Sequence, residues 1–172
     1  KGMSKDSANN LFDLILKFAG YGFNKSHSTG YSIIAYQTAY LKTYFPVQYM
    51  AAVLTFESGA KKTEDWAPYI GDCKKTRFSD HTDETPHVGF QVGPPDINQS
   101  DALFSVVYDE NEPKTNCNGH VRFGLGAVKG AGNAAVSAIV KERNEHGTFD
   151  SIHDFCSRVS GKLVNRGTIE SL

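Results

Sequence analysis

Leu125-Gly126-Ala127-Val128-Lys129-Gly130-Ala131-Gly132-Asn133-Ala134-Ala135-Val136-Ser137-Ala138-Ile139-Val140 is the stretch on which the reading of this chain turns. Gly130 and Gly132 bracket one alanine and permit a tight turn with positive φ. An alanine-rich amphipathic helix follows, with apolar Val128 before the turn and Val136 and Ile139 beyond it. Without side chains, the glycines also let backbone N–H groups approach a phosphate closely. Lys129 sits beside the turn, and Lys141 and Arg143 lie further along. A plain glycine-rich connection between helices, or a nucleotide loop, has the same local spacing.

Further helical rhythm lies on either side. Leu11, Leu14, Ile15 and Phe18 mark one face of a helix over residues 5–19, capped by Asp6 or Ser7. Gly20 and Gly22 end it. A longer helix is expected from about Ser28, as its N-cap, to Tyr44. Phe45-Pro46 stops that helix, and Pro46 suits the first turn of another carrying Tyr49, Met50, Val53 and Leu54. One more is expected within residues 65–75. Residues 76–87 are polar and read as an exposed loop. Residues 88–92, 104–108 and 120–123 are strand candidates for a small antiparallel sheet. Helices return at 136–145, 151–159 and 165–172. The fold class is therefore mainly α with a small β element. The expected division is a helical part over 1–75, a connector with short strands and an acidic loop over 76–123, and a glycine-turn region over 124–172.

Composition narrows the classes. The 172 residues are 40% hydrophobic and 22% charged, which fits a folded chain and excludes disorder. Residues 1–75 carry nine Lys/Arg against six Asp/Glu, residues 76–120 two against eight, and residues 121–172 seven against five. Two mildly basic segments thus flank an acidic one. Cys73, Cys117 and Cys156 are odd in number and lack ligand spacing, so neither a disulfide framework nor zinc is expected. No apolar run approaches the ~20 residues of a membrane span. A reducing, cytoplasmic setting without membrane contact is the expectation. Starting at Lys1 and stopping in an expected helix, the chain reads as a piece of something larger.

A second stretch carries chemistry: Phe18-Ala19-Gly20-Tyr21-Gly22-Phe23-Asn24-Lys25-Ser26-His27-Ser28. Two glycines loosen the backbone before a cation, two hydroxyls and an imidazole, and the segment feeds a helix start. Free N–H groups and the helix dipole favour an anion there. An ordinary capped helix explains the same residues. Tyr31, Tyr36, Tyr40, Tyr44 and Tyr49 are core candidates first and base-stacking candidates second. No Ser/His/Asp order or close carboxylate pair marks a catalytic group.

The Gly130 turn and its flanks resemble the helix-hairpin-helix motif, which grips the DNA backbone without reading bases. The wider pattern comprises the Phe18–Ser28 stretch, Tyr36-Gln37-Thr38-Ala39-Tyr40-Leu41-Lys42, Phe45-Pro46, Pro94-Pro95-Asp96-Ile97-Asn98-Gln99-Ser100, Val121-Arg122-Phe123-Gly124 and Phe149-Asp150-Ser151-Ile152-His153-Asp154-Phe155. Taken together, these motifs resemble bacterial DNA polymerase III alpha subunits, the C-family replicative polymerases. The resemblance implies a helical fingers subdomain followed by a helix-hairpin-helix region whose second hairpin is truncated at Leu172. Lys25 and His27 would then face the triphosphate of deoxynucleoside triphosphates, supported by Asn24, Ser26 and Ser28. Lys129, Gly130 and Gly132 would hold the backbone of primer-template DNA. The aspartates that hold Mg2+ in the palm of such enzymes have no counterpart in this sequence, so this stretch alone is expected to be inactive and to need no cofactor of its own. Sliding clamp and other replicase subunits would be partners through the intact protein. The acidic segment Arg77–His87 departs from the family pattern. The alternative is a stand-alone helix-hairpin-helix module of a repair or recombination protein, and a scaffold without nucleic acid is the third reading.

Overall fold

The computed structural model describes residues 2–20, 22, 24–60 and 62–172. It is mainly α with a small β element, as the periodicities predict. Its order is α1 (Lys5–Ala19), α2 (Lys25–Tyr44), α3 (Pro46–Ala60), α4 (Thr63–Cys73), β1 (Val92–Gly93), β2 (Ser105–Val107), β3 (His120–Arg122), a 3₁₀ turn (Leu125–Ala127), α5 (Asn133–His146), α6 (Ile152–Arg158) and α7 (Arg166–Ser171). The chain divides into two compact units, residues 1–39 and 40–172.

In the first unit, Ser4 caps α1 by accepting from the Ser7 backbone N–H at 3.2 Å, so neither Asp6 nor Ser7 is the cap. Ser4 wins because its hydroxyl lies three residues ahead of an unbonded amide. Among the described residues, none in α1 or α2 is buried. Leu11, Leu14, Ile15 and Phe18 do share a side of α1, but they stand exposed, Phe18 at 70%. The tyrosines behave likewise. Tyr31, Tyr36, Tyr40 and Tyr44 are exposed, and Tyr49 alone of the five packs against a core.

The second unit has two hydrophobic clusters. One joins Val47, Met50, Ala51 and Leu54 of α3 to Trp66 and Cys73 of α4, Phe78, Phe90, Phe104 and Val121. It draws on both sides of position 75, so the helical part and the connector share a core. Trp66 and Phe104 meet edge to face at 6.2 Å, a geometry that aromatic quadrupoles favour. The other cluster gathers Leu125, Ala131, Ala135, Val136, Ile139, Phe149, Phe155, Val159 and Val164.

The sheet has order β1-β3-β2 and is mixed. β2 pairs antiparallel to β3, with Val106 opposite Val121, whereas β1 runs parallel to β3. The expected all-antiparallel sheet is corrected in this respect. The strand expected at 88–92 shrinks to Val92–Gly93 plus an isolated bridge between Arg77 and Val88.

Residues 76–87 are not simply an exposed loop. Phe78 is buried, stacks on the His87 ring at 3.9 Å and meets Phe90 edge to face. Backbone bonds from Phe78 N–H to His87 O and from Gly89 N–H to Thr76 O close the segment as a hairpin. One aromatic residue anchors an otherwise polar excursion. The connector loop after β2 is closed by Glu112, whose carboxylate accepts the backbone N–H groups of Gly119 and Asp109. Those two bonds hold its carboxyl below the usual carboxylate range, Gly119 contributing more.

Burial pushes the Cys73 thiol up to about 11 from 9.0, with neighbouring Asp72 adding to the shift. A raised thiol pKa gives stability that is complete below pH ~9, where the unfolded thiol is also protonated, and that fades as pH climbs towards 11. Thermal unfolding should therefore lose midpoint between pH 9 and 11 more steeply in the wild type than in Cys73→Ala. Parallel profiles would remove Cys73 from that loss.

Candidate functional site

In the first unit the candidate residues lie at the start of α2. The helix begins earlier than Ser28, because Asn24 is its cap: Asn24 Oδ1 accepts the Ser26 N–H at 2.9 Å, and its carbonyl accepts from Ser28 N–H. Ser28 instead sits inside the first turn, its hydroxyl donating to the Lys25 carbonyl at 3.1 Å. Asn24, Lys25, Ser26 and His27 are exposed. His27 leans on Tyr31 with ring centroids 4.5 Å apart. The first turn of α2 holds no acidic residue. A helix start bearing Lys25, Ser26 and His27, with no carboxylate in the turn, favours an anion through the dipole and side chains together. Tyr21 and Phe23 of the same motif lie outside the described residues.

In the second unit the other candidates form a turn between the 3₁₀ segment and α5. Backbone bonds from Val128 N–H to Leu125 O and from Ala131 N–H to Val128 O, both 3.1 Å, fold it tightly. Ala131 is buried, while Lys129, Gly130, Gly132 and Asn133 face outward. The two glycines differ. Gly130 has φ +97, and a Cβ there would lie 2.5 Å from Ser171 Oγ, so the fold itself demands glycine. Gly132 has φ −71 and ψ 148, ordinary extended values, and an added Cβ would meet nothing within 4 Å. No side chain caps α5 at Gly132, and its first turn has no acidic residue. The first-turn N–H groups of a helix have no partner within the helix. Here they lie beside an exposed glycine and an exposed lysine. Free N–H groups at a helix start of this kind favour an oxyanion.

Packing fixes where this turn points. Ala135, Val136 and Ile139 bury one face of α5 against Leu125, Phe149 and Phe155. At its far end Arg158 ties α6 to α5. It donates to Glu142, Asp154 and the carbonyls of Gly147 and Thr148, and lies 4.4 Å over the Phe149 ring. Sequence spacing missed one further group. Arg143 of α5 donates to the carbonyls of Ile97 and Ser100 in the Pro94–Ser100 motif, and Asn98 of that motif donates to Phe149 O beyond α5, each across more than forty residues. Only the motif's several polar residues after two prolines hinted at it.

Among the described residues, no three His, Cys, Asp or Glu side chains gather as a metal site. The three cysteines are free thiols. No helix among the described residues is long and apolar enough to cross a membrane.

Comparison with known proteins gives the family. A profile of the helix-hairpin-helix motif family matches residues 89–172. The chain is 43% identical over 172 residues to DNA polymerase III subunit alpha of Deinococcus radiodurans, covering all of this chain and 11% of that protein. It is 42% identical over 171 residues to the Pseudomonas aeruginosa subunit, covering 99% of this chain and 13% of the relative. For the Thermus aquaticus subunit the identity is 40% over 172 residues, with all of this chain and 12% of the relative covered. The chain thus spans about an eighth of the length of the relatives it matches. Its sequence, along all 172 residues, places it with the bacterial DNA polymerase III alpha subunits.

Proposed function

We propose that this chain is the part of a replicative DNA polymerase that holds phosphate groups at two helix starts. The first turn of α2 faces the triphosphate of an incoming deoxynucleoside triphosphate. Lys25 and His27 supply cationic or hydrogen-bonding contacts, and Ser26 supplies a hydroxyl. Asn24 and Ser28 keep the turn wound through their own backbone bonds. The turn Lys129–Gly132 holds the backbone of primer-template DNA. Backbone N–H groups recognise phosphate rather than base edges, so that grip carries no sequence preference.

The observation that carries this reading is Gly132. The fold leaves room for a side chain there and its dihedrals suit any residue. A glycine on an uncapped helix start, kept bare where folding does not require it, matches close approach by a ligand backbone. In the intact protein, polymerisation would use Mg2+ held by aspartates elsewhere in that protein, and the sliding clamp and other replicase subunits would be met through it. The ~40% identity along the whole chain favours this over a stand-alone repair or recombination module.

Substitutions at both helix starts test these assignments. Gly132→Ala should raise the dissociation constant for duplex DNA about tenfold, one charge-assisted hydrogen bond's worth, while the thermal midpoint stays unchanged. Gly130→Ala should lower stability by about 1–3 kcal/mol through backbone strain and the Ser171 contact. Wild-type affinity in Gly132→Ala would sink the backbone-holding role. In the intact protein, Lys25→Ala and His27→Ala should raise the apparent KM for nucleotide more than they weaken primer-template binding. An unchanged KM in both variants would remove these side chains from the nucleotide site.

A further inference from the structure

Between β1 and β2 the chain lays down a strap, residues 94–101, bonded by two arginines from different elements. Arg122 of β3 donates to Pro94 O at 3.2 Å and to Gln99 Oε1 at 2.6 Å. Arg143 of α5 donates through Nη1 to Ile97 O at 3.1 Å and Ser100 O at 2.6 Å, and through Nη2 to Asp101 Oδ1 at 2.8 Å. Its side chain is only 9% exposed. Inside the strap, Ser100 is fully buried and its Oγ accepts from Asp96 N–H, while Asp96 Oδ1 accepts from Asn98 N–H. Asn98 also exchanges two bonds with Phe149, giving from Nδ2 to its carbonyl at 2.9 Å and taking its N–H at 2.8 Å. The strap thus touches the sheet, α5 and the entry to α6.

Arg143 lies four residues after Ile139 and seven after Val136, in line with the buried face of α5. From Arg143 to Asn133 at the helix start is ten residues, ~15 Å at 1.5 Å per residue. A tilt of about 10° at Arg143 therefore moves the first turn by roughly 2.6 Å, which is enough to break any hydrogen bond made there. A guanidinium fork suits three acceptors spread over a strap. A lysine keeps the charge but offers a single compact ammonium on a flexible stem.

We propose that Arg143 and Asn98 are positioning residues for the turn at Gly130–Gly132, aiming the first N–H groups of α5 through the strap. This rests on the reading of that turn as a holder of DNA phosphates. It assigns a purpose to the Pro94–Ser100 motif, which touches no candidate contact residue itself.

The test uses the 172-residue chain with Arg143→Lys and Asn98→Ala, and Val47→Ala in the other core as a destabilised control. Duplex affinity is measured where circular dichroism finds every variant folded, alongside hydrogen exchange at the amides of residues 136–139, the first that bond within α5. Arg143→Lys and Asn98→Ala should each weaken binding five- to tenfold and speed that exchange about tenfold, while Val47→Ala changes neither. Combining the two strap variants should add little, because both cut one linkage. Wild-type affinity in Arg143→Lys, or an equal loss in Val47→Ala, would overturn the proposal. If even the wild type binds no duplex, the phosphate-holding reading fails. Exchange then decides whether the strap orders the turn: faster exchange in the strap variants supports it, and equal exchange in all chains overturns it.

Discussion

The buried face of α5 is the constraint from which the C-terminal half takes its shape. Val136 and Ile139 lie within the core, with Leu125 behind them and Phe149, Phe155, Val159 and Val164 around them. Each such aliphatic side chain contributes about 1.5–3 kcal/mol when removed from water. With that face pinned, the opposite side of α5, with Asn133 and Ala134 in its first turn, must look outward. The turn before it can then reverse the chain only through a residue at φ +97, and only glycine accepts that backbone beneath the Ser171 side chain. Hydrophobic packing along one face of the helix thus determines the direction in which its unbonded first N–H groups point.

The two candidate sites use the same physics with different equipment. At α2 the helix start is capped by Asn24 and bears exposed side chains, Lys25 and His27 among them. At α5 no side chain caps the start, the adjoining residue is a bare glycine, and the helix is locked by Arg143 and by Arg158. That start offers backbone N–H groups rather than side chains. The acidic connector, with two basic residues against eight acidic ones over 76–120, lies between them in sequence and repels polyanions rather than holding them. The negative balance of the chain as a whole conceals both.

Much of this was legible in the sequence, for local reasons. Apolar spacing found α1 and the Phe45-Pro46 break found α3, since periodicity and proline act over a few residues. Gly130 was legible as a turn for the same reason. The cap of α2 was not, because Asn24 and Ser28 are both good caps and only the fold shows which oxygen reaches an amide. β1 spans two residues and pairs in parallel with a strand nearly thirty residues on, too little and too far for alternation to register. Phe78 sat unnoticed in a polar run, although a single aromatic residue suffices to anchor a hairpin. The strap was hidden for the plainest reason: Asn98 and Phe149 recognise each other across 51 residues.

The account stands on phosphates being held without regard to sequence, and a salt titration of duplex binding by fluorescence anisotropy tests that most directly. Random-sequence and unrelated defined duplexes should bind alike, with log affinity falling linearly as log salt rises, because each neutralised phosphate releases counterions. Absence of binding at low salt, or affinity that depends on sequence and ignores salt, would contradict it.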